Sequence, residues 1–540
     1  MTGRAILLSL VFLSVTLPGH AYAQHDTTVD ICVYGGTSAG VIAAYSAKRI
    51  GHSALLIEPG GQVGGMTTGG LGETDIGNKV AITGIARDFY KKVGAHYGQP
   101  ESWTFEPHVA SAVFEDYIQS ARLPVWYHYR LNRVEKKGAA ITAIVVERVS
   151  AGATSHAGPG PRPRRITIRA RVFIDCSYEG DLMASADVTY VTGRESNSEF
   201  GETYDGFQLR DKHQFPDSVD PNRKPGDTAS GLLWGISGIA PGRPGAGDNR
   251  IQAYNFRLCL TDSPANRLPI TLPVHYQPDY YALLLRVIAK HPDAPLESYL
   301  NINSMPNHKT DINNNGPFST DMIGMNYDYP NASYAQRETI WRAHADYTKG
   351  LLYFLGHDPR VPEKLRNEML QWGYPKDEFV ATQHWTPQLY IREARRMRGE
   401  YVMTQANCLG NATVTDGIGL AAYTMDSHNC ERLVVNGMTK NEGDVQIGGF
   451  GPYPISYRSI VPKASECTNL LVPVCLSATH IAYGSIRMEP VFMVLGESAA
   501  LAAHLAMANN GNVQRVDVGK LQAILQTDPL LNSPSSNSAR

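Results

Sequence analysis

The 540-residue sequence has no excess of either charge: 49 Lys and Arg stand against 51 Asp and Glu, a formal net charge of −2. This excludes the broad basic surface of a non-specific nucleic-acid binder, and no nucleic-acid partner is expected. Cysteine is scarce. Seven residues, an odd and sparse set, do not make a disulfide scaffold. No two are spaced CxxC, which excludes a dithiol redox centre and a cysteine zinc site, and no metal is expected. Cys32 and Cys176 lie in apolar runs where buried thiols are expected, while Cys408 with Cys430, or Cys467 with Cys475, stay open as pairs. Beyond the N-terminus no apolar run is long enough to span a bilayer, so no membrane span is expected. Repeats and low-complexity tracts are absent, and the 50 glycines and 33 prolines are scattered among apolar runs. With 43% hydrophobic and 19% charged residues, what remains is a large neutral globular chain with many tight turns. Such chains are most often enzymes.

The N-terminus has the pattern of a leader. Arg4 precedes a short apolar stretch at 5–17, Pro18-Gly19 interrupts it, and Ala21-Tyr22-Ala23 is a small-x-small cleavage pattern. Residues 1–23 are expected to be a signal peptide, leaving a periplasmic or secreted chain that starts at Gln24.

The strongest signal follows. Residues 29–34 (VDICVY) form a short β run that leads directly into Gly35-Gly36-Thr37-Ser38-Ala39-Gly40. A helical stretch at 41–50 carries apolar side chains at Val41, Ile42, Ala44, Ala47 and Ile50, and a second β run at 54–57 ends on Glu58. Strand, glycine turn, helix, strand, acid is the order of a dinucleotide-binding βαβ unit. Gly35 suits the tight turn and Gly40 the close packing of helix on strand. The helix start, with Gly36, Ser38 and Ala39, offers amides and a positive dipole end to a pyrophosphate. Glu58, 18 residues after Gly40, is placed to accept hydrogen bonds from a ribose. Thr37 stands where the pattern has its second glycine.

The stretch from Pro59 to Gly72 is richer in glycine than a nicotinamide enzyme needs. FAD lies extended and requires such close backbone approach, which makes Gly64, Gly65, Met66 and Thr67 candidate contacts. Gly64-Gly65 with Thr67 resembles the second FAD contact of flavoproteins of the glutathione-reductase structural type. Residues 170–175 (ARVFID) run into Cys176-Ser177-Tyr178-Glu179-Gly180-Asp181, similar to the strand and ATGD turn beside the adenosine in those flavoproteins. Cys176, Gly180 and Asp181 join the candidates, as does Val134 at the end of a strand near 130–134. Residues 484–490 (GSIRMEP) lead into an apolar helix at 491–508. In that structural type the last helix points its positive end at the flavin C2 carbonyl, which implies Arg487 and Gly496 as contacts. Ala500 stands where the type often has glycine.

The strings YGGTSAGVIAA, GGMTTGGLGETDIGN, FIDCSYEGDLMA, YIREARRM and SIRMEPVFMVLGESAALAA together resemble a family of bacterial FAD-dependent oxidoreductases, many of them exported. The resemblance implies FAD as cofactor and an α/β fold, a Rossmann-like FAD-binding domain with a large inserted α+β substrate domain. It implies no substrate. The expected organisation is a signal peptide at 1–23, FAD-binding parts at 24–190 and 401–510, the insert at 191–400 and a tail at 511–540. Residues 157–165 are expected as a solvated hairpin-like connection and 532–540 as disordered.

No second strand–glycine–helix unit occurs, so NAD(P)H is not expected as the reductant. The expected cycle is hydride transfer from a small-molecule substrate to flavin N5, with oxygen, a quinone or a soluble carrier as electron acceptor. The substrate proton needs a base, and histidine suits this best. His480, seven residues before Arg487, and His428, which Asp426 could orient, are the candidates. Arg392, Arg395 and Arg396 either bind an anion or pair with Glu393 along a helix face. The insert, rich in Asn, Tyr and Trp, suits a sugar, a glycoside or an alcohol. The alternative is a non-redox polysaccharide-processing enzyme such as a lyase, using Tyr390, Arg392 and His428. A carbohydrate-binding module with Trp341 and Trp385 as stacking platforms is a third reading. Both leave three FAD-like segments unexplained.

Overall fold

The computed structural model describes residues 26–149 and 165–527. The expected leader at 1–23, the connection at 157–164 and the tail at 532–540 lie outside the described residues.

Strand β1 (Thr27–Tyr34) is buried from Ile31 to Tyr34. An unbroken apolar end, without alternation, belongs to a strand covered on both faces, as in a parallel sheet. Helix α1 (Ser38–Arg49) starts at Thr37, whose extended backbone and hydroxyl, accepting from the Gly40 N–H at 3.3 Å, make it the N-cap. Glycine at 37 would lack that cap. Strand β2 (Ala54–Glu58) returns parallel to β1, with Ile31 opposite Ala54 and Tyr34 opposite Ile57. Helices α2 (Gly84–His96) and α3 (Pro107–Ser120) pack on each other, and α3 also on α1. They lead to β3 (Val125–Tyr127), parallel to β2. Strands β4 (Tyr129–Lys137) and β5 (Ala140–Arg148) form an antiparallel pair that joins the first half of β6 (Arg165–Asp175). Strand β6 itself runs parallel to β1. The sheet order is β3-β2-β1-β6-β5-β4.

The chain then leaves this sheet, and the two ends of the excursion meet where Tyr190 and Val191 pair with Met397 and Arg396 in a separate two-stranded ladder. Between them lie the hairpin β7 (Leu300–Met305) and β8 (Lys309–Asn314), and the long helix α4 (Tyr334–His357), started by a Ser333–Gln336 capping box. Strand β9 (Leu470–Leu471) then adds to the second half of β6 in parallel. Helix α5 (His480–Ile486) and helix α6 (Glu489–Ala506) follow. Helix α6 crosses α1 at Gly496, where a Cβ would stand 2.4 Å from the Ala39 carbonyl oxygen. Only glycine permits that approach. Among the described residues one helix, at 489–509, is long and apolar enough to cross a membrane, and most of it is buried inside the fold.

Three local expectations differ from the structure. The segment 390–397 is not helical, because Tyr390 bridges to Asn255 and Arg396 to Val191 as extended chain; the Glu393–Arg396 ion pair forms all the same, at 2.7 Å. Trp341 and Trp385 are not exposed platforms but pack edge-on against Phe256. All seven cysteines are buried and free.

Candidate functional site

The loops at the C-terminal edge of the parallel strands converge into a cradle. Gly35 (φ +93°) ends β1, and a Cβ there would stand 2.5 Å from the Ser177 nitrogen; a Cβ at Gly40 would stand 1.9 Å from the Gly35 carbonyl oxygen. Thr37 Oγ1 donates to the Cys176 carbonyl at 2.8 Å, and the Cys176 N–H donates to the Tyr34 carbonyl at 2.7 Å, so the first turn is locked to the end of β6. A helix start leaves its first amides without intrahelical acceptors. Thr37 caps the Gly40 N–H, and those of Ser38 and Ala39 stay available to an anion. Half-buried Glu58 accepts from the Gly36 N–H at 2.8 Å and from the Gly60 N–H. Burial pushes its carboxyl up to about 7, against the pull of those two bonds. Gly64 (φ +95°) and Gly65 (φ +54°) turn the chain back so that the Gly64 N–H reaches the Gly36 carbonyl at 2.7 Å.

At the centre of the cradle is a carboxylate that the sequence motifs do not point to. Glu489, the first residue of α6, accepts from Ser38 Oγ at 2.5 Å, Thr67 Oγ1 at 3.0 Å and Tyr178 Oη at 2.6 Å. Tyr178 Oη in turn accepts from the Met66 N–H at 2.9 Å. Three loops are thereby tied to the start of α6. Burial raises the Glu489 carboxyl, and its hydrogen bonds oppose the rise. An acid followed by Pro490 is a helix-start signal, but the hydroxyl partners lie 311 to 451 residues away.

Two other candidates sit differently from the expectation. Gly180 (φ +66°) turns the chain after β6, with its N–H on Ser177 Oγ. The next residue, Asp181, is held by Arg337 at 2.7 and 2.9 Å and by Arg395 at 2.8 Å, so its carboxylate is committed to two arginines. Val134 is not brought to the cradle. The residue that meets the Glu58 turn is His128, whose N–H donates to the Gly60 carbonyl at 2.9 Å. At about 3.3 Å per residue, Val134 lies roughly 20 Å further along the strand.

Arg487, two residues before Glu489, connects the cradle to a polar cleft of about 540 Å³. Five asparagines of the β7–β8 hairpin and its exit line it (Asn301, Asn303, Asn313, Asn314 and Asn315), with Glu73, Asp75, Arg257, Tyr390, Tyr423, Asp426 and His428. His428 Nδ1 lies 2.6 Å from Asp321 Oδ2, and its Nε2 is 3.9 Å from Asp426. A carboxylate only accepts, so Nδ1 carries the hydrogen and Nε2 is left as an acceptor on the cleft side. Burial would raise the Asp321 carboxyl, but Arg392, at 3.0 Å, and His428 hold it below its ordinary value. An imidazole oriented by a buried carboxylate, with its other nitrogen toward a cavity, can take a proton from a bound molecule.

His480 is not arranged in this way. It is 2% exposed, with Nδ1 2.7 Å from Glu393 and Nε2 3.0 Å from Ser427 Oγ. Burial would raise Glu393, yet His480 and Arg396 hold it at about 2. The expectation of a substrate-facing His480 does not survive this geometry, because α5 turns its first residue into the core and both ring nitrogens are taken. Arg487 donates to Tyr390 Oη at 2.9 Å and to Asp426 Oδ2 at 2.7 Å, and its Nε is a buried donor without an acceptor. Arg392, Arg395 and Arg396 pair with Asp321, Asp181 and Glu195, so none is free to neutralise the anion a lyase would handle. Among the described residues one group, Glu106, His108 and Glu378, is close enough to hold a metal. The Lys309 ammonium already stands 2.7 Å from both glutamates.

A parallel sheet, glycine turns at its C-terminal edge and an acid at the end of β2 define a dinucleotide-binding α/β protein. The chain belongs to the FAD-dependent oxidoreductases: the sequence model of the FAD dependent oxidoreductase family matches residues 30–525. It is a flavin oxidoreductase, and its cofactor is FAD. The residues present fit that group, with amides at 38 and 39 for phosphate, the Glu58 carboxylate for a ribose, and the unpartnered Arg487 Nε. No curated protein sequence matches the chain. Among solved structures it is similar to the OxyS anhydrotetracycline hydroxylase from Streptomyces rimosus, at 10% identity and TM-score 0.24, over 35% of this chain and 36% of that one. THI4 of Thermovibrio ammonificans matches at 16% identity and TM-score 0.24, over 31% and 67%. The 3-ketosteroid-Δ4-(5α)-dehydrogenase of Rhodococcus jostii matches at 12% and 0.20, over 29% and 47%.

Proposed function

We propose that the protein oxidises a small hydroxyl-bearing substrate (a sugar, a glycoside or an alcohol) in the polar cleft, with His428 as the base. The observation that carries this reading is the His428 imidazole, fixed by Asp321 on one nitrogen and turned to the cleft with the other. FAD, when bound, supplies the two-electron acceptor. The substrate O–H proton passes to His428 Nε2 while the hydrogen on the adjacent carbon leaves as hydride, and the alcohol becomes a carbonyl. Asp321 stabilises the imidazolium that results. Asparagine amides both donate and accept, which suits neighbouring hydroxyl groups. Oxygen, a quinone or a soluble carrier then takes the electrons.

In the cradle, the phosphates would meet the turn at 35–40 and the ribose Glu58. Arg487 would face the flavin, in the arrangement of the glutathione-reductase structural type. The antiparallel pair β4–β5 attached to β6 supports that part of the reading. Export belongs to the same proposal, and protein recovered outside the cytoplasm should begin at Gln24. An anaerobic screen of sugars, glycosides and alcohols, following loss of the oxidised-flavin absorbance, tests the activity. Bleaching by amines or amino acids, and by no hydroxyl compound, would refute it.

A further inference from the structure

Two tyrosines line the cleft, and their hydroxyls are in different situations. Tyr423 Oη donates to Asp75 Oδ1 at 3.2 Å. Tyr390 Oη lies 2.9 Å from Arg487 Nη1, and a guanidinium can only donate. Tyr390 therefore accepts from Arg487, and its own hydrogen is left for another acceptor. The side chain is 7% exposed and is fixed from two sides, by Arg487 at the hydroxyl and by the Arg392 guanidinium 4.6 Å over the ring. Burial keeps the phenol above its ordinary value, so the hydrogen stays on oxygen.

The same two arginines lead to His428. Arg392 pairs at 3.0 Å with Asp321, which holds Nδ1. Arg487 bonds Asp426 at 2.7 Å, and Asp426 stands 3.9 Å from Nε2. One circuit of six side chains thus fixes a hydrogen-bond acceptor, Nε2, and a donor, the Tyr390 O–H, at the same cleft.

We propose that Tyr390 is a second catalytic residue, donating its O–H to the substrate oxygen whose proton His428 takes; this rests on the hydroxyl-oxidation reading above. The substrate O–H bond breaks toward Nε2, the C–H pair leaves as hydride to the bound FAD, and C–O becomes C=O. Negative charge that gathers on the oxygen meanwhile is met by the Tyr390 hydrogen bond, strengthened by the Arg487 cation behind it.

The test compares wild-type and Tyr390→Phe holoenzymes, reduced anaerobically by a panel of sugars, glycosides and alcohols. Tyr390→Phe is expected to keep its bound FAD and flavin spectrum and to slow flavin reduction about 10²–10³-fold, as loss of one oxyanion donor does. The KM should change little. Reduction within about twofold of wild type overturns the Tyr390 assignment and leaves hydroxyl oxidation standing. Loss of FAD from the variant assigns Tyr390 to holding the cofactor and overturns it equally. A wild-type enzyme that no member of the panel reduces overturns both readings together.

Discussion

Replacing Glu58 by glutamine keeps the shape of the side chain and removes its charge. The two carboxylate oxygens accept from the Gly36 N–H at 2.8 Å and from the Gly60 N–H. Glutamine has one acceptor oxygen, and its NH₂ meets the second amide donor to donor. The lost charge-assisted bond is worth about 1.5–3 kcal/mol. Relief of a buried charge works the other way, since burial is what pushes this carboxyl up to about 7. A raised acid makes the apoprotein less stable as pH rises from the unfolded carboxyl value to about 7, and glutamine removes that penalty. The apoprotein of Glu58→Gln should therefore unfold at nearly the wild-type temperature. FAD affinity has no such relief, because ribose hydroxyls need the carboxylate as acceptor, and it should fall about 10- to 150-fold. Titrating apoprotein with FAD by quenching of flavin fluorescence measures this. The bound carboxyl lies lower than the free one, so binding releases a proton, and wild-type affinity should weaken as pH falls through about 7. A glutamine variant that binds within about twofold of wild type, or with the same pH slope, refutes the ribose role.

Three further outcomes follow from the geometry. Asp321→Asn removes the carboxylate that fixes the His428 Nδ1 hydrogen and should slow substrate-driven flavin reduction about 10²–10⁴-fold with the flavin spectrum intact; a rate within about tenfold would show that this orientation is unimportant. Glu489→Ala strands the Ser38, Thr67 and Tyr178 hydroxyls and should lower stability by about 3 kcal/mol or more and shed FAD; unchanged flavin retention on dialysis would contradict its place in the cradle. Lys309→Met removes the ammonium that stands 2.7 Å from both Glu106 and Glu378, each 1% exposed in its side chain. Such a loss is worth about 3–5 kcal/mol, and an unmoved urea midpoint would speak against it.

The sequence by itself determined the glycine turns and the acid that edge the cradle, but not the Glu489 carboxylate at its centre. The turn at 35–40, the acid at 58 and the glycines at 64 and 65 all fall within one contiguous stretch, the βαβ unit and the loop after it, so their order and spacing can be read along the chain. A left-handed backbone, or a position where a Cβ would fall within 2 Å of a carbonyl oxygen, as at Gly40, needs glycine. Thr37 in a glycine's place is legible too, once seen as an N-cap. The inward-facing partners were decided only by the tertiary structure. His428 finds Asp321 from 107 positions away, and Asp181 finds Arg337 from 156. His480 lies near Arg487 in the chain, yet both its ring nitrogens are taken in the core by Glu393 and Ser427, brought there from 87 and 53 positions away. Backbone conformation is set over a few bonds, whereas a buried charge is paired by whichever segment packing brings against it. A catalytic carboxylate and a structural one therefore carry the same local sequence.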